Sequence, residues 1–237
     1  ERPEFANATR FFLRPNPLRS QWSAAGIFRV VGQTGDLLQG VLLPGIESAT
    51  DVLLLDKLLT GLEQGQGWEI GRLKIELLIQ NSRMILQAST LAAASARVAG
   101  VVYAPPPNLD TAELRLSLVQ AMQDAGIDVV DAVTTPVDDG RQTAVDTLRA
   151  VSMGFQRKWA LNPIQFNAVL NPQLYLSRRN AEASGISLQW VDRALSHNPL
   201  KEPLWSSPRI IRQLNVTNAE PFPMEELETR AANEEPL

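Results

Sequence analysis

The chain has 237 residues, 44% hydrophobic and 20% charged, enough for one large or two small globular domains with a buried core. Zero cysteines exclude disulfides, thiolate zinc sites, iron–sulfur clusters and a cysteine nucleophile; they suit a reducing compartment, the cytoplasm or an organelle matrix, rather than secretion. A formal net charge of −4 offers no basic field for nucleic acid or an anionic membrane, and no apolar run is long enough to span a bilayer.

In chain order, short apolar runs alternate with amphipathic stretches from Arg10 to about Leu170, the rhythm of a parallel sheet with crossover helices. The expected strands are Phe11–Arg14, Gly40–Leu43, Lys74–Ile79, Gly100–Tyr103, Val129–Ala132 and Trp159–Ala160. The expected helices are Ser48–Glu63, Arg83–Ala94, Thr111–Ala125 and Arg141–Met153. The first of these opens on Ser48-Ala-Thr-Asp51, a capping box with Asp in place of Glu, and its leucines at 53, 54, 55, 58, 59 and 62 predict one broad buried face. The Thr111 helix carries Leu114, Leu118, Val119 and Met122 at helical spacing and should stop at Gly126. Six such strands suit either an eight-stranded barrel or an open doubly wound sheet, and spacing alone does not separate them. Neither GxGxxG nor GxxxxGK[ST] occurs.

Beyond about Pro172 the character changes, which predicts a boundary between a domain over residues 1–172 and a tail over residues 173–237. Leu174–Leu195 is expected to be helical with a break at Gly185. Residues 196–237 are proline-punctuated and end on the acidic stretch EELETRAANEEPL. Such a segment lacks a periodic face of its own, so it is expected to lie along a protein partner, a second copy or its own barrel. Trp205 and Ile210-Ile211 are the expected anchors. The single histidine, His197, sits in the proline-flanked loop SHNPLKEP, where a solvated side chain is expected.

Four segments in order, FFLRPN at 11–16, GVLLPGIESATDV at 40–52, LLIQNSRMIL at 77–86, and DAVTTPVDD at 131–139 with GFQRKWALNPIQFNAV at 154–169, resemble the citrate lyase β-subunit family of the HpcH/HpaI aldolase superfamily, with its malyl-CoA lyase relatives. The resemblance implies a (β/α)₈ TIM-type barrel whose chemistry lies on loops after the strands. Nothing before Phe11 resembles that family's first two strands. It also implies a Mg²⁺-dependent carbon–carbon lyase acting on an acyl-CoA thioester, the ion held by a Glu and an Asp and stabilising an enolate.

Matched position by position, Arg14 corresponds to the family's strand-end arginine, and Pro44, Glu47 and Ser48 fall in a substrate-binding segment whose Lys is here Gly45. Asn162 and Gln165 match the last strand's motif and are expected to bind substrate. Gln80 stands where the metal-binding Glu would be, and Asn108 stands nearest the Asp. Asp192, in LQWVDRAL, resembles a C-terminal acidic position and joins Arg14 as a candidate catalytic residue. Two neutral amides stabilise a dication far less than two carboxylates do. The expectation is therefore a pseudoenzyme with no metal or other cofactor, serving as a structural or interaction subunit of a larger assembly. The alternative is a live Mg²⁺-dependent lyase for malyl-CoA, citramalyl-CoA or citryl-CoA that uses Asp110, Asp138 or Asp192 instead. Gln80 and Asn108 are expected to cap helices or satisfy loop backbone rather than to keep a ligand role, Arg14 could equally serve a structural ion pair, and Lys158-Trp159 is expected to pack within the barrel, with Lys158 at the bottom of its strand.

Overall fold

A computed structural model describes residues 11–34, 37–172 and 183. Six parallel strands lie side by side in chain order: β1 (Phe11–Leu13), β2 (Leu38–Leu43), β3 (Lys74–Ile79), β4 (Val98–Tyr103), β5 (Asp128–Asp131) and β6 (Arg157–Lys158). Each pairs only with its sequence neighbours, so the sheet curls as an open partial barrel among the described residues, an α/β arrangement related to the TIM type. The eight-stranded barrel of the resemblance is thus seen here as six strands. Asp192, His197, Trp205, Ile210 and Ile211, and the expected helix over 174–195, lie outside the described residues.

Helices α1 (Ser23–Thr34), α2 (Ala49–Gln66), α3 (Ser82–Leu86), α4 (Ala88–Ala93), α5 (Ala112–Asp124), α6 (Gly140–Met153) and α7 (Pro163–Leu170) follow the strands. Because side chains alternate across a strand, the sheet buries two sets. Val41, Leu43, Ile75, Leu77, Ile79, Val101, Tyr103 and Val129 meet the helices in the main core. Leu42, Leu78, Val102 and Val130 form a smaller cluster on the other, concave face, with Trp159 and Ala104 packed against it. Trp159 therefore packs within the barrel, as its apolar bulk suggests.

Several elements differ from the sequence expectation. Val52, Leu55, Leu59 and Leu62 make the buried stripe of α2, while Leu53 and Leu54 face outward. A run of leucines on consecutive positions cannot all share one face of a 3.6-residue helix. The helix expected over 83–94 is interrupted at Gln87. Strand β6 begins at Arg157, two residues before the expected start, with the Trp159 amide still donating to Asp131. Lys158 lies at the end of that strand, not the bottom: its Nζ reaches Asp131 and the carbonyl of Ala132 beyond β5. Helices α1 and α7 were not anticipated, although Asn162-Pro163 is an N-cap residue followed by proline in the first turn.

The caps were more legible. Asp51 accepts from the amides of Glu47 and Ser48, Thr111 caps α5, and Gly67, Gly126 and Gly154 take the left-handed conformation at helix ends.

Candidate functional site

The parallel strands share one direction, so their C-terminal ends and following loops form a single rim, the place where barrels of this type carry chemistry. Arg14 follows β1 directly. Its side chain is exposed and makes no ion pair or hydrogen bond among the described residues. After β2, Pro44 is buried and Glu47 pairs with Arg19 at 2.7 Å on the surface.

Gln80 directly follows β3 on the concave-facing register of Leu78, exposed and without a cap to make. The neighbouring Asn81 caps α3 instead, its Oδ1 accepting from Met84 at 2.9 Å. Asn108 lies exposed in a 3₁₀ turn, Pro107–Leu109, and caps nothing either. The capping roles open to both amides on sequence grounds thus fall to Asn81 and Thr111.

Asp110 is not available as sequence alone suggests. Arg115 grips both its oxygens, Nε at 2.6 Å from Oδ1 and Nη2 at 2.7 Å from Oδ2. The third arm of the guanidinium, Nη1, reaches Oδ1 of Asp131 at 2.8 Å, and Lys158 Nζ holds Oδ2 of Asp131 at 2.6 Å. Asp131 is almost fully buried, its side chain 1% exposed. Burial pushes the Asp110 carboxyl up, but the Arg115 hydrogen bonds and charge outweigh it and hold the group below its ordinary value. Burial likewise works against the Arg115 charge, yet the hydrogen bonds it donates to Asp110 and the charge of Asp131 raise its pKa. Beside them the Tyr103 hydroxyl is buried against Asp110; burial first, then the Asp110 charge and the hydrogen bond to it, pushes that phenol upward, so it stays protonated.

Arg115, Asp131 and Lys158 were not singled out from sequence as a network. A signal existed: Asp131 closes the apolar strand DVVD, and a carboxylate there requires a cationic partner.

Across the rim, Asn162 caps α7, its Oδ1 accepting from the Gln165 amide at 2.8 Å while Nδ2 donates to Val137. Gln165 is fully buried; Oε1 accepts from Leu161 and Nε2 donates to Thr134. Both side chains are engaged in holding the loops after β5 and β6 together. Asp139 caps α6, and Asp138 is exposed.

Magnesium needs several hard oxygens with at least one carboxylate. Gln80 and Asn108 are neutral amides, both oxygens of Asp110 accept from Arg115, and no group of three or more His, Cys, Asp or Glu is placed to hold an ion among the described residues. Among the described residues this donor set does not fit a dication. No helix among these residues is long and apolar enough to cross a membrane.

Residues 1–163 match the profile of the family described as HpcH/HpaI aldolase/citrate lyase. The citrate lyase subunit beta of Haemophilus influenzae is 28% identical over 171 residues, covering 67% of this chain and 58% of that protein. The chain thus spans less than two thirds of that relative's length. Among solved structures, RipC from Yersinia pestis superposes with a TM-score of 0.56 at 25% identity, covering 73% of this chain and 79% of that one. A citrate lyase beta subunit from M. tuberculosis, complexed with oxaloacetate and magnesium, gives 0.51 at 18% identity over 70% of this chain and 73% of that one, a likeness of fold.

Proposed function

This chain belongs to the HpcH/HpaI aldolase/citrate lyase family, and from that premise we propose that it is a citrate-lyase-β-like barrel protein without metal-dependent lyase chemistry, serving as a structural or interaction subunit of a larger assembly. The observation that carries the reading is the donor set: Gln80 and Asn108 are neutral, and both oxygens of Asp110 belong to Arg115. A reaction that builds negative charge beside a thioester carbonyl would lose its main electrostatic stabilisation, several kcal/mol or roughly a thousandfold or more in rate. The partner in this reading is another protein or a second copy, engaged through residues 173–237, with no membrane or nucleic-acid contact.

A second reading is a Mg²⁺-dependent lyase for a CoA thioester of the malyl, citramalyl or citryl type. The exposed Arg14, which pairs with none of the described residues, favours it, since a substrate-binding arginine must be free, and the citrate lyase relatives support it. That enzyme would draw its missing carboxylate from Asp138 or Asp192. The experiment is incubation of the purified chain with each thioester and Mg²⁺, following free CoA, alongside calorimetric titration of Mg²⁺. The first reading expects no turnover and no saturable heat. Wild-type turnover abolished by Gln80→Ala would establish the second.

A further inference from the structure

We infer that Arg115, with Lys158 beside it, is the built-in counter-charge of the rim carboxylates, so that the loop between β4 and α5 is supported by an internal cation and Asp110 is closed to any external one. This rests on the reading of the donor set above but concerns what occupies the carboxylates rather than whether the chain is a catalyst.

The geometry is complete on its own terms. All four oxygens of Asp110 and Asp131 accept from a cationic nitrogen, at 2.6–2.8 Å, and three nitrogens of one guanidinium are used in doing so. The planar fork matches two carboxylates at once, which an ammonium cannot do. The guanidinium also lies 5.2 Å from the ring centre of Tyr103 and 5.6 Å from that of Phe155, while the Asp131 it holds is 1% exposed and the Asp110 side chain 31% exposed.

Its position is otherwise unfavourable. Arg115 sits four residues after the N-cap Thr111, at the positive end of α5, where a cation is destabilised by the helix dipole. Only the carboxylates on either side explain a cation there. They come from different elements: Asp110 from the loop, Asp131 from β5, with Lys158 from β6. The clamp therefore fastens the turn at 104–111 to the two strands beside it. A divalent ion approaching Asp110 would have to displace the guanidinium and would meet its repulsion.

The test uses the full chain in four forms: wild type, Arg115→Gln, Asp110→Asn and the double variant, each melted in EDTA and in millimolar MgCl₂, with amide exchange followed over residues 104–111. Each single variant should lower Tm by about 2–4 °C or more and lose exchange protection across the loop. The double variant should be no worse than Arg115→Gln alone, because that substitution already removes the Asp110 pair together with the Asp131 one. Neither EDTA nor MgCl₂ should move the wild type. Arg115→Lys, which keeps the charge but not the fork, should be intermediate, and it serves if Arg115→Gln does not fold. Additive losses in the double variant, or a Mg²⁺-induced rise in wild-type Tm that Asp110→Asn abolishes, would overturn the inference. Lyase turnover with the Arg115–Asp110 coupling intact would instead overturn the loss of chemistry and leave the clamp standing.

Discussion

The side-chain amide of Gln165 donates to the carbonyl oxygen of Thr134 at 2.8 Å, tying the first turn of α7 to the segment after β5. The same side chain accepts from the Leu161 amide at 3.0 Å, so one fully buried residue satisfies two backbone groups from two different loops. Leaving a buried backbone group unpaired costs about 1–3 kcal/mol. Gln165→Ala should therefore lower the free energy of unfolding in urea by about that much or more, whereas Gln80→Ala and Arg14→Ala, both exposed and unbonded among the described residues, should stay within about 0.5 kcal/mol of wild type. A Gln165→Ala protein as stable as the wild type would show that the bridge contributes nothing.

The concave face depends on two glycines that should respond differently. A Cβ on Gly100 would lie 2.6 Å from Arg157 Nη2 and 3.1 Å from Glu76 Oε1, the ion pair that links β6 to β3 at 2.7 Å. The tip of an arginine can move aside. A Cβ on Gly40 would meet the backbone carbonyl of Lys74 on the neighbouring strand, which cannot. Overpacking of this kind costs about 1–3 kcal/mol. Gly40→Ala should fall at or above the top of that range and Gly100→Ala near the bottom, by urea denaturation; the reverse order would mean that the ion pair is the more rigid neighbour.

A second buried network sits at the opposite, N-terminal side of the sheet. Arg97, its side chain 5% exposed, binds Glu63 through Nη1 and Nη2 at 2.8 and 2.7 Å and Asp56 through Nε at 2.7 Å. Glu63 also accepts from the amides of Gly71 and Leu73. Removing the cation strands a fully buried carboxylate, a loss of about 3–5 kcal/mol. Arg97→Met should show that loss in chemical denaturation, and a change under about 1 kcal/mol would place the network among solvent-screened surface pairs.

Acid should unfold the protein through these same groups. For Asp56, Glu63 and Asp110, burial raises the carboxyl pKa, but hydrogen bonds from Arg97 or Arg115 outweigh it and leave each depressed. A depressed carboxyl stabilises the fold above its unfolded value, about 3.9 for Asp and 4.3 for Glu, and that contribution is lost as pH falls through the folded value. Tm should thus be nearly flat from neutrality to about pH 5 and fall steeply below about pH 4. Glu63→Gln should flatten the acid limb; an unchanged slope would remove Glu63 from the set.

Much of the frame can be read one segment at a time. The strand cores Lys74–Ile79 and Gly100–Tyr103, the Thr111 cap and the Gly126 stop follow from short-range patterns of apolar side chains, hydroxyl caps and left-handed glycine, all decided within a few residues. That position 80 carries a neutral amide is likewise a fact of composition at one position. What Asp110 and Gln165 do is not. Asp110 reads as a spare metal ligand until Arg115 is seen to hold it together with Asp131, which stands 16 positions from that arginine and is itself held by Lys158, a further 27 positions on. Gln165 reads as a substrate contact until its amide is found on the carbonyl of Thr134. A carboxylate or amide carries the same donors and acceptors whether it faces a ligand or its own backbone. Only the parallel packing of β4, β5 and β6, which brings these loops to one rim, decides which partner each group meets.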